Sequence, residues 1–237
     1  MASRSPTISS DPLAALFADW RSAGRTALIP YITAGYPEPD TTAELLSALA
    51  EAGADVIELG VPFSDPVADG PTIQRSSQRA LEHGITLDWT LSALSGFRQH
   101  FDTPVVIFTY LNPVLAHGTD RFIADALDAG AQAVLLTDLP LDADPELENT
   151  LEESPLALVR LLAPTTARAR ALEIARRTQG FLYYVARLGV TGQEIGLAGV
   201  LVRVGPIVIT FKICQVFPHR RGKQITPILS RTYILFL

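Results

Sequence analysis

Short apolar runs alternate with longer amphipathic segments along the first 185 residues of the chain. The apolar runs are rich in β-branched and aliphatic residues, which predicts strands buried on both faces. The longer segments have helical spacing; the first begins at Asp11-Pro12, and two others end at Gly53 and Gly130. The predicted strands are residues 27–33, 56–59, 105–109, 133–136, 157–162 and 181–185. After the covering helix at Asp11, the predicted helices are residues 41–52, 71–82, 90–100, 120–129, 145–153 and 166–178.

Strict alternation of strand and helix predicts a parallel α/β sheet with helices outside it, either open or closed into a barrel. The distribution of polar residues favours the barrel, because they recur just after the strand ends, and barrel enzymes collect their chemistry at that rim. An open sheet would concentrate them at one switch point. The residues in question are Glu58, Asp69, Tyr110, Asn112, Asp138, Thr165, Arg187 and Thr191. We therefore expect a (β/α)8 TIM-barrel fold of which six strand–helix units are present.

Two carboxylates stand out within the second unit. Glu58 lies inside an apolar strand, where an ionised carboxylate is unfavourable unless it faces a wet cavity or has a partner. Asp69 follows on a proline-interrupted loop that can return over the end of that strand. We expect the pKa of the buried carboxyl to rise and the loop carboxylate to stay ionised. The alternatives are that Glu58 is a structural acid paired with an arginine, and that Asp65 and Asp69 only form turns.

Composition narrows the class of protein. The 237 residues fit one large domain, and no apolar run reaches the roughly 18 residues of a membrane-spanning helix. The N-terminus lacks the order of a signal peptide, and the lone Cys214 excludes an internal disulfide, so we expect a cytoplasmic protein. The first 194 residues contain 13 basic and 25 acidic residues, a formal charge of −12, which argues against a nucleic-acid surface. The four histidines have no ligand spacing, so no metal site is predicted.

Residues 58–74 read Glu-Leu-Gly-Val-Pro-Phe-Ser-Asp-Pro-Val-Ala-Asp-Gly-Pro-Thr-Ile-Gln. This run resembles the signature of the tryptophan synthase α subunit. Further motifs of that family match in order: Ile-Pro-Tyr-Ile-Thr-Ala-Gly-Tyr-Pro at 29–37, Tyr-Leu-Asn-Pro at 110–113, Asp-Leu-Pro at 138–140 and Arg-Leu-Gly-Val-Thr-Gly at 187–192. The resemblance covers about residues 11–197.

The resemblance implies a cofactor-free retro-aldol cleavage of indole-3-glycerol phosphate to indole and glyceraldehyde 3-phosphate. By residue-wise match, Glu58 would be the acid and base, and Asp69 would accept the indole N–H. An indole slot, a phosphate contact and a partner loop are implied as well. Their residues are Tyr31, Phe108, Tyr110, Leu135 and Tyr183 for the slot, Thr191 and Gly192 for phosphate, and Asp65 and Arg187 for the partner loops. The implied partner is a β subunit in an α2β2 heterotetramer, which alone binds pyridoxal phosphate.

The last 40 residues, 198–237, do not resemble the family. They lack acidic residues, contain both lysines and carry a formal charge of +6. The family's glycine-rich phosphate loops, expected after strands seven and eight, have no counterpart here. Our first hypothesis is a divergent tail after residue 197, produced by disruption of the reading frame or the gene end. The alternative is that residues 201–204 and 207–211 act as two replacement strands.

Three functional hypotheses follow from these observations. The first is the α-subunit lyase. The second is a non-catalytic or unstable remnant of that subunit, because the tail departs from the family. A remoter third is another carboxylate-pair barrel enzyme such as a glycosidase, against which the Pro-Phe-Ser-Asp-Pro loop at 62–66 argues.

Overall fold

The computed structural model describes residues 11–185, 209–213 and 234–235. In these residues the strands form one sheet in which every neighbouring pair is parallel and the spatial order follows the chain order. The strands are β1 Tyr31–Thr33, β2 Ile57–Gly60, β3 Val105–Thr109, β4 Ala133–Leu136, β5 Ala157–Leu162, β6 Leu182–Tyr184, β7 Ile209–Ile213 and β8 Ile234–Leu235. The α/β prediction with a parallel sheet is confirmed.

Helices connect the strands from β1 to β6. They are α1 Pro12–Ser22, α2 Thr41–Glu51, α3 Pro71–Glu82, α4 Leu87–Arg98, α5 Leu111–His117, α6 Thr119–Asp128, α7 Pro145–Glu153 and α8 Arg168–Arg177. Asp11 accepts a hydrogen bond from the Ala14 amide at 2.9 Å, and Asp144 caps α7 in the same way. None of the helices in the described part of the chain is long and apolar enough to cross a membrane.

The predicted starts of β1 and α4 differ most from the observed ones, and one helix was not predicted. The first strand begins at Tyr31 rather than at residue 27, because the Asp55 carboxylate, not a strand, takes the Leu28 amide, and Pro30 has no amide to offer. Helix α4 begins three residues early, at Leu87, where Thr86 caps it. Helix α5 was not predicted at all. Its Pro113 lies in the first turn, where a helix needs no backbone donor, so the proline does not interrupt it.

The sheet has two apolar faces because successive side chains in a strand alternate. Ile57, Leu59 and Ile107 face the helices and belong to the larger core. Val56 and Phe108 face the other way, into a second core that lies on the inner side of the sheet. Helix α1 covers one end of this inner core. There the ring of Phe17 stacks on Phe181 at 5.0 Å, and the Asp11 carboxylate accepts the Gly180 amide at 2.6 Å.

A buried ion-pair network joins β5 to α7 and α8 on the helix-facing side. The Arg160 guanidinium, whose side chain is 4% exposed, donates to Glu148 at 2.7 Å and also to Glu152. Glu148 is fully buried. Arg177 of α8 reaches the same two carboxylates at 3.5 and 3.0 Å. The network therefore connects three elements through one buried ion pair, Arg160 with Glu148, and two partly buried charges.

The strands after β6 bear on the two hypotheses for the tail. Of the proposed replacement strands, residues 201–204 lie outside the described residues. Residues 207–211 overlap β7, which pairs in parallel with β6 and then with β8. Within the described residues, β1 and β8 are the two ends of the strand order.

Candidate active site

Glu58 lies on β2 and is completely buried. Its Cα pairs with Tyr31 of β1 on one side and Val106 of β3 on the other. Because Val56, two residues earlier, belongs to the inner core, the Glu58 side chain is on the inner face of the sheet. The carboxyl group is thus held on a rigid strand between two further strands.

Asp69 lies on the loop between β2 and α3 and is 7% exposed. The loop returns against the end of β3, where the Tyr110 hydroxyl donates to the Asp69 carboxylate at 3.0 Å. The same hydroxyl accepts the Ala68 amide at 3.0 Å. From α3, the Gln74 side-chain amide donates to the Asp69 carbonyl at 2.9 Å. Both the backbone and the side chain of Asp69 are therefore fixed, although the residue belongs to a loop.

Tyr31 lies close to both carboxylates. Burial raises the pKa of its phenol, and the negative charges of Asp69 and, more weakly, Glu58 raise the same pKa further. The Thr33 hydroxyl donates to the Tyr31 oxygen at 3.3 Å, and Thr33 also shares a hydrogen bond of 2.8 Å with Ser76 of α3. Because its pKa is raised, the Tyr31 phenol is neutral at neutral pH. It lies beside both Glu58 and Asp69.

Gly60 makes room for this phenol. A Cβ at position 60 would lie 2.1 Å from the Tyr31 hydroxyl, far inside contact distance. Gly60 is two residues beyond Glu58 on the same face of β2, and a glycine within a strand indicates such a close approach. Sequence reasoning missed this residue, and also Thr33 and Ser76, although the strand glycine was a usable signal for Gly60.

Aromatic rings line the region next to the carboxylates. Phe108 contacts Tyr31 edge-on with 5.2 Å between ring centroids, and Tyr183 of β6 at 6.2 Å. Leu135 of β4 is fully buried and pairs in register with Phe108. The four residues expected to line an indole slot from β1, β3, β4 and β6 thus belong to one inner core.

Tyr110, the fifth residue expected in the slot, and Asp65, expected in a partner loop, make other contacts. Tyr110 is buried, but its hydroxyl is used by the loop after β2, and its ring faces Phe63 at 5.0 Å. Asp65 is exposed and accepts the Ser64 hydroxyl at 2.6 Å, as a turn-forming residue does. Asp138, predicted at the rim, accepts the Leu111 amide at 2.7 Å and so serves the start of α5. Arg187, Thr191 and Gly192 lie outside the described residues.

One group of possible metal ligands occurs among the described residues, and it involves a histidine that the sequence did not single out. Asp88, His117 and Asp125 come from α4, α5 and α6. Asp88 faces the Nδ1 atom of His117 at 3.4 Å, and Asp125 faces Nε2 at 2.6 Å. The hydrogen bond from His117 lowers the pKa of Asp125. Each ring nitrogen of His117 thus faces a carboxylate from a neighbouring helix, so we assign the group to helix packing.

A buried acid pairs with an arginine in another part of the sheet. Arg160, on the helix-facing side of β5, pairs with Glu148 and Glu152. Glu58 lies on the opposite face, on β2.

Comparison with known proteins gives a consistent result. The family model described as tryptophan synthase alpha chain matches residues 17–219. The tryptophan synthase alpha chain of Laribacter hongkongensis is 51% identical over 189 residues, covering 79% of this chain and 72% of that one. The corresponding protein of Xanthomonas axonopodis pv. citri is 52% identical over 177 residues, covering 74% and 66%.

Solved structures show the same likeness. Tryptophan synthase subunit alpha from Legionella pneumophila has a TM-score of 0.69 at 39% identity, covering 73% of this chain and 66% of that one. A structure of Mycobacterium tuberculosis tryptophan synthase has a TM-score of 0.71 at 37% identity, covering 76% and 70%. The chain thus spans about two thirds of the length of these relatives.

Proposed function

Because this chain belongs to the tryptophan synthase alpha chain family, we propose that it is an α subunit that cleaves indole-3-glycerol phosphate into indole and glyceraldehyde 3-phosphate. The observation that supports this most is that the buried Glu58 of β2 pairs in register with Tyr31, and that the buried Asp69 of the following loop raises the pKa of the same tyrosine. Two carboxylates in different surroundings suit a reaction that needs both proton transfer and charge stabilisation.

Glu58 is the proposed acid and base. Cleavage of the carbon–carbon bond requires a proton on the indole ring carbon that carries the side chain, and removal of the proton from the neighbouring side-chain hydroxyl. The bond then breaks, the hydroxyl carbon becomes the aldehyde, and the ring regains its aromatic form. Glu58 can deliver the first proton and take up the second, so it ends the cycle as it began. Its full burial disfavours the ionised carboxyl and so favours the acid at the start.

Asp69 is the proposed electrostatic partner. Protonating the indole ring carbon places positive charge on the ring nitrogen. A carboxylate that accepts the indole N–H stabilises that charge where it develops, and a carboxylate held in advance does so without reorganising. The hydrogen bonds to Tyr110 and Gln74 provide this preorganisation.

The inner-face rings are the proposed indole slot. Tyr31, Phe108, Leu135 and Tyr183 provide the mainly apolar lining that a flat aromatic substrate requires. Since burial raises the pKa of Tyr31, its hydroxyl adds no charge to this slot. Thr191 and Gly192 are proposed to contribute to phosphate binding through a hydroxyl and a backbone N–H, as the family match implies.

The divergent tail is expected to reduce the activity of this chain. We propose a family-like part at 1–197 and a divergent part at 198–237, although the family model extends its match to residue 219. If the tail does not rebuild the missing phosphate loops, several charge-assisted N–H contacts are lost, each contributing on the order of 1.5–3 kcal/mol. The Michaelis constant for the phosphorylated substrate should then rise by about a hundredfold or more.

The proposed partner is a β subunit. The loops after β2 and β6 would order against it in an α2β2 heterotetramer, Asp65 and Arg187 belonging to those loops, and pyridoxal phosphate would be bound by the β subunit alone. The exposed Val67, on the loop after β2, suits such a contact. The lone Cys214 agrees with a reducing, cytoplasmic location.

Incubation of the purified full-length chain with indole-3-glycerol phosphate tests the activity. Indole and glyceraldehyde 3-phosphate should form in equal amounts, and Asp69→Asn should reduce the rate by about a hundredfold or more. Addition of a β subunit at micromolar concentration should give a complex on size-exclusion chromatography. Neither product above the no-enzyme background, together with no complex, would refute the proposal in favour of a non-catalytic remnant.

A further inference from the structure

The hydrogen bonds of Tyr110 indicate a role beyond the predicted one of lining an indole slot. We propose that Tyr110 is the positioning residue of Asp69, with its hydroxyl fixing the loop carboxylate against β3 in the orientation required to receive a ring N–H. The inference deepens the proposed function and rests on it for its kinetic consequences. The hydrogen-bonded arrangement itself is testable without any turnover.

The contacts of the hydroxyl determine the direction of its hydrogen bonds. The Ala68 amide lies 3.0 Å from the Tyr110 oxygen and can only donate. The hydroxyl proton is therefore directed to the Asp69 Oδ2 atom, also at 3.0 Å. One phenol thus holds two consecutive residues of the loop, one by its backbone and one by its side chain.

The backbone and the ring of Tyr110 are also held in place. Tyr110 follows β3 directly and is the N-cap residue of α5, so its backbone belongs to a strand end rather than to a mobile loop. It is 3% exposed, and its ring packs on Phe63, which lies in the same loop as Asp69, at 5.0 Å. The side chain of Tyr110 consequently contacts the loop at Phe63, Ala68 and Asp69, in addition to the hydrogen bond from Gln74 to the Asp69 carbonyl.

The protonation state of the phenol supports its role as donor. Burial raises the pKa of Tyr110, and the nearby charge of Asp69 raises it further. The phenol therefore keeps its proton throughout the neutral range. A carboxylate oxygen can accept more than one hydrogen bond, so Asp69 can hold the Tyr110 proton and still accept a substrate N–H.

The Asp69 carboxylate needs a positioning residue because the loop before it is exposed. Val67, two residues earlier, is 83% exposed, so the part of the loop just before the buried Asp69 gains little restraint from packing. A carboxylate misplaced by about 1 Å can lose a hundredfold in rate. A residue that only lined the slot would tolerate Phe, which keeps the ring, whereas a positioning residue would not.

The decisive experiment is a pH titration of the Asp69 carboxyl carbon, followed by NMR in the full-length chain labelled with ¹³C-aspartate. The resonance of Asp69 is assigned as the one that is missing in Asp69→Asn. Tyr110→Phe removes a hydrogen bond to the ionised form, so the titration midpoint of Asp69 should rise by roughly one unit or more. Tyr36→Phe, at a tyrosine that is 39% exposed after β1, is the matched control and should leave the midpoint unchanged. A midpoint in Tyr110→Phe within about 0.3 units of the parent would overturn the inference.

A second measurement covers the case that Tyr110→Phe does not fold. In Asp69→Asn the phenol keeps its ring contacts but loses the neighbouring charge that raises its pKa. The ¹³Cζ resonance of Tyr110, observed at neutral pH in the chain labelled with ¹³C-tyrosine, should therefore shift, whereas that of Tyr36 should not. An unmoved Tyr110 resonance would contradict the inference as directly as the first result.

Kinetics separate this inference from the proposed function. If the chain releases indole, Tyr110→Phe should lower kcat about ten- to a hundredfold with little change in KM, and should add almost nothing in the Asp69→Asn background. Independent, multiplicative losses from the two substitutions would count against positioning. If the parent releases no indole but the Asp69 midpoint shifts as expected, the positioning stands and the lyase proposal fails.

Discussion

Replacing Arg160 by Met tests the buried ion-pair network on the helix-facing side of β5. The substitution keeps an apolar stem of similar length and removes the charge that Glu148 faces at 2.7 Å. Glu148 is fully buried, so its carboxylate would remain in the interior with fewer partners. Removing one member of a buried pair ordinarily costs about 3–5 kcal/mol.

The geometry places the expected loss at the lower end of that range. Arg177 stays 3.5 Å from Glu148 and 3.0 Å from Glu152, so part of the charge remains compensated. We expect Arg160→Met to lower the free energy of unfolding by about 3 kcal/mol. For a domain of this size, that corresponds to a fall in Tm of about 6–12 °C.

The double variant Arg160→Met/Glu148→Leu replaces the pair by apolar side chains and should recover most of the loss. Urea unfolding followed by circular dichroism measures all three proteins. Arg121→Met, which removes an exposed partner of Asp125, is the matched control and should change little. The reasoning fails if Arg160→Met is as stable as this control, or if the double variant is no more stable than Arg160→Met alone.

Three further predictions concern the site, acid stability and the tail. Gly60→Ala should displace the Tyr31 phenol and lower the free energy of unfolding, measured in urea, by about 1–3 kcal/mol. Gly96→Ala, where a Cβ on α4 meets open space, is the control and should not destabilise the chain; equal losses of stability in the two variants would contradict the prediction. Arg170 and Arg177 lower the pKa of Asp142, so its contribution to stability is present above about pH 4 and is lost as pH falls through the lowered value. The Tm difference between parent and Asp142→Asn should accordingly shrink on acidification, and a constant difference would refute this. A chimera with an ordinary family C-terminus after residue 197 should be more soluble than the unmodified chain and should release indole faster. If the unmodified chain instead melts cooperatively and releases indole at the rate usual for the family, the tail has rebuilt the barrel.

Local signals predicted much of the fold. Helices α3 and α7 match their predicted bounds, because each has a proline in its first turn. Strands β3, β4 and β5 match as well, since each is a mainly apolar run buried on both faces, with Arg160 as the one charged residue of β5. Helix α5 was not predicted, although its Pro113 lies in the first turn, where a proline does not interrupt a helix.

Contacts between distant residues could not be predicted in this way. The hydrogen bond from Tyr110 to Asp69 joins residues 41 positions apart, and that between Thr33 and Ser76 joins residues 43 apart. Periodicity places Glu58 on a buried strand, but it does not determine which side chains of other strands and loops lie beside it. Hence the sequence predicted which residues carry the proposed chemistry, and only the structure indicated what holds Asp69 in place.

The central claim is that Glu58 transfers the protons, and the most direct test compares indole release by Glu58→Gln with that by the parent. Glutamine keeps the shape of the side chain but cannot exchange the proton, so release should fall by about a hundredfold or more while a cooperative melt is retained. Glu51→Gln, at an exposed position on α2, is the matched control and should release indole at the parental rate. Indole release by Glu58→Gln within a few-fold of the parental rate would contradict the account.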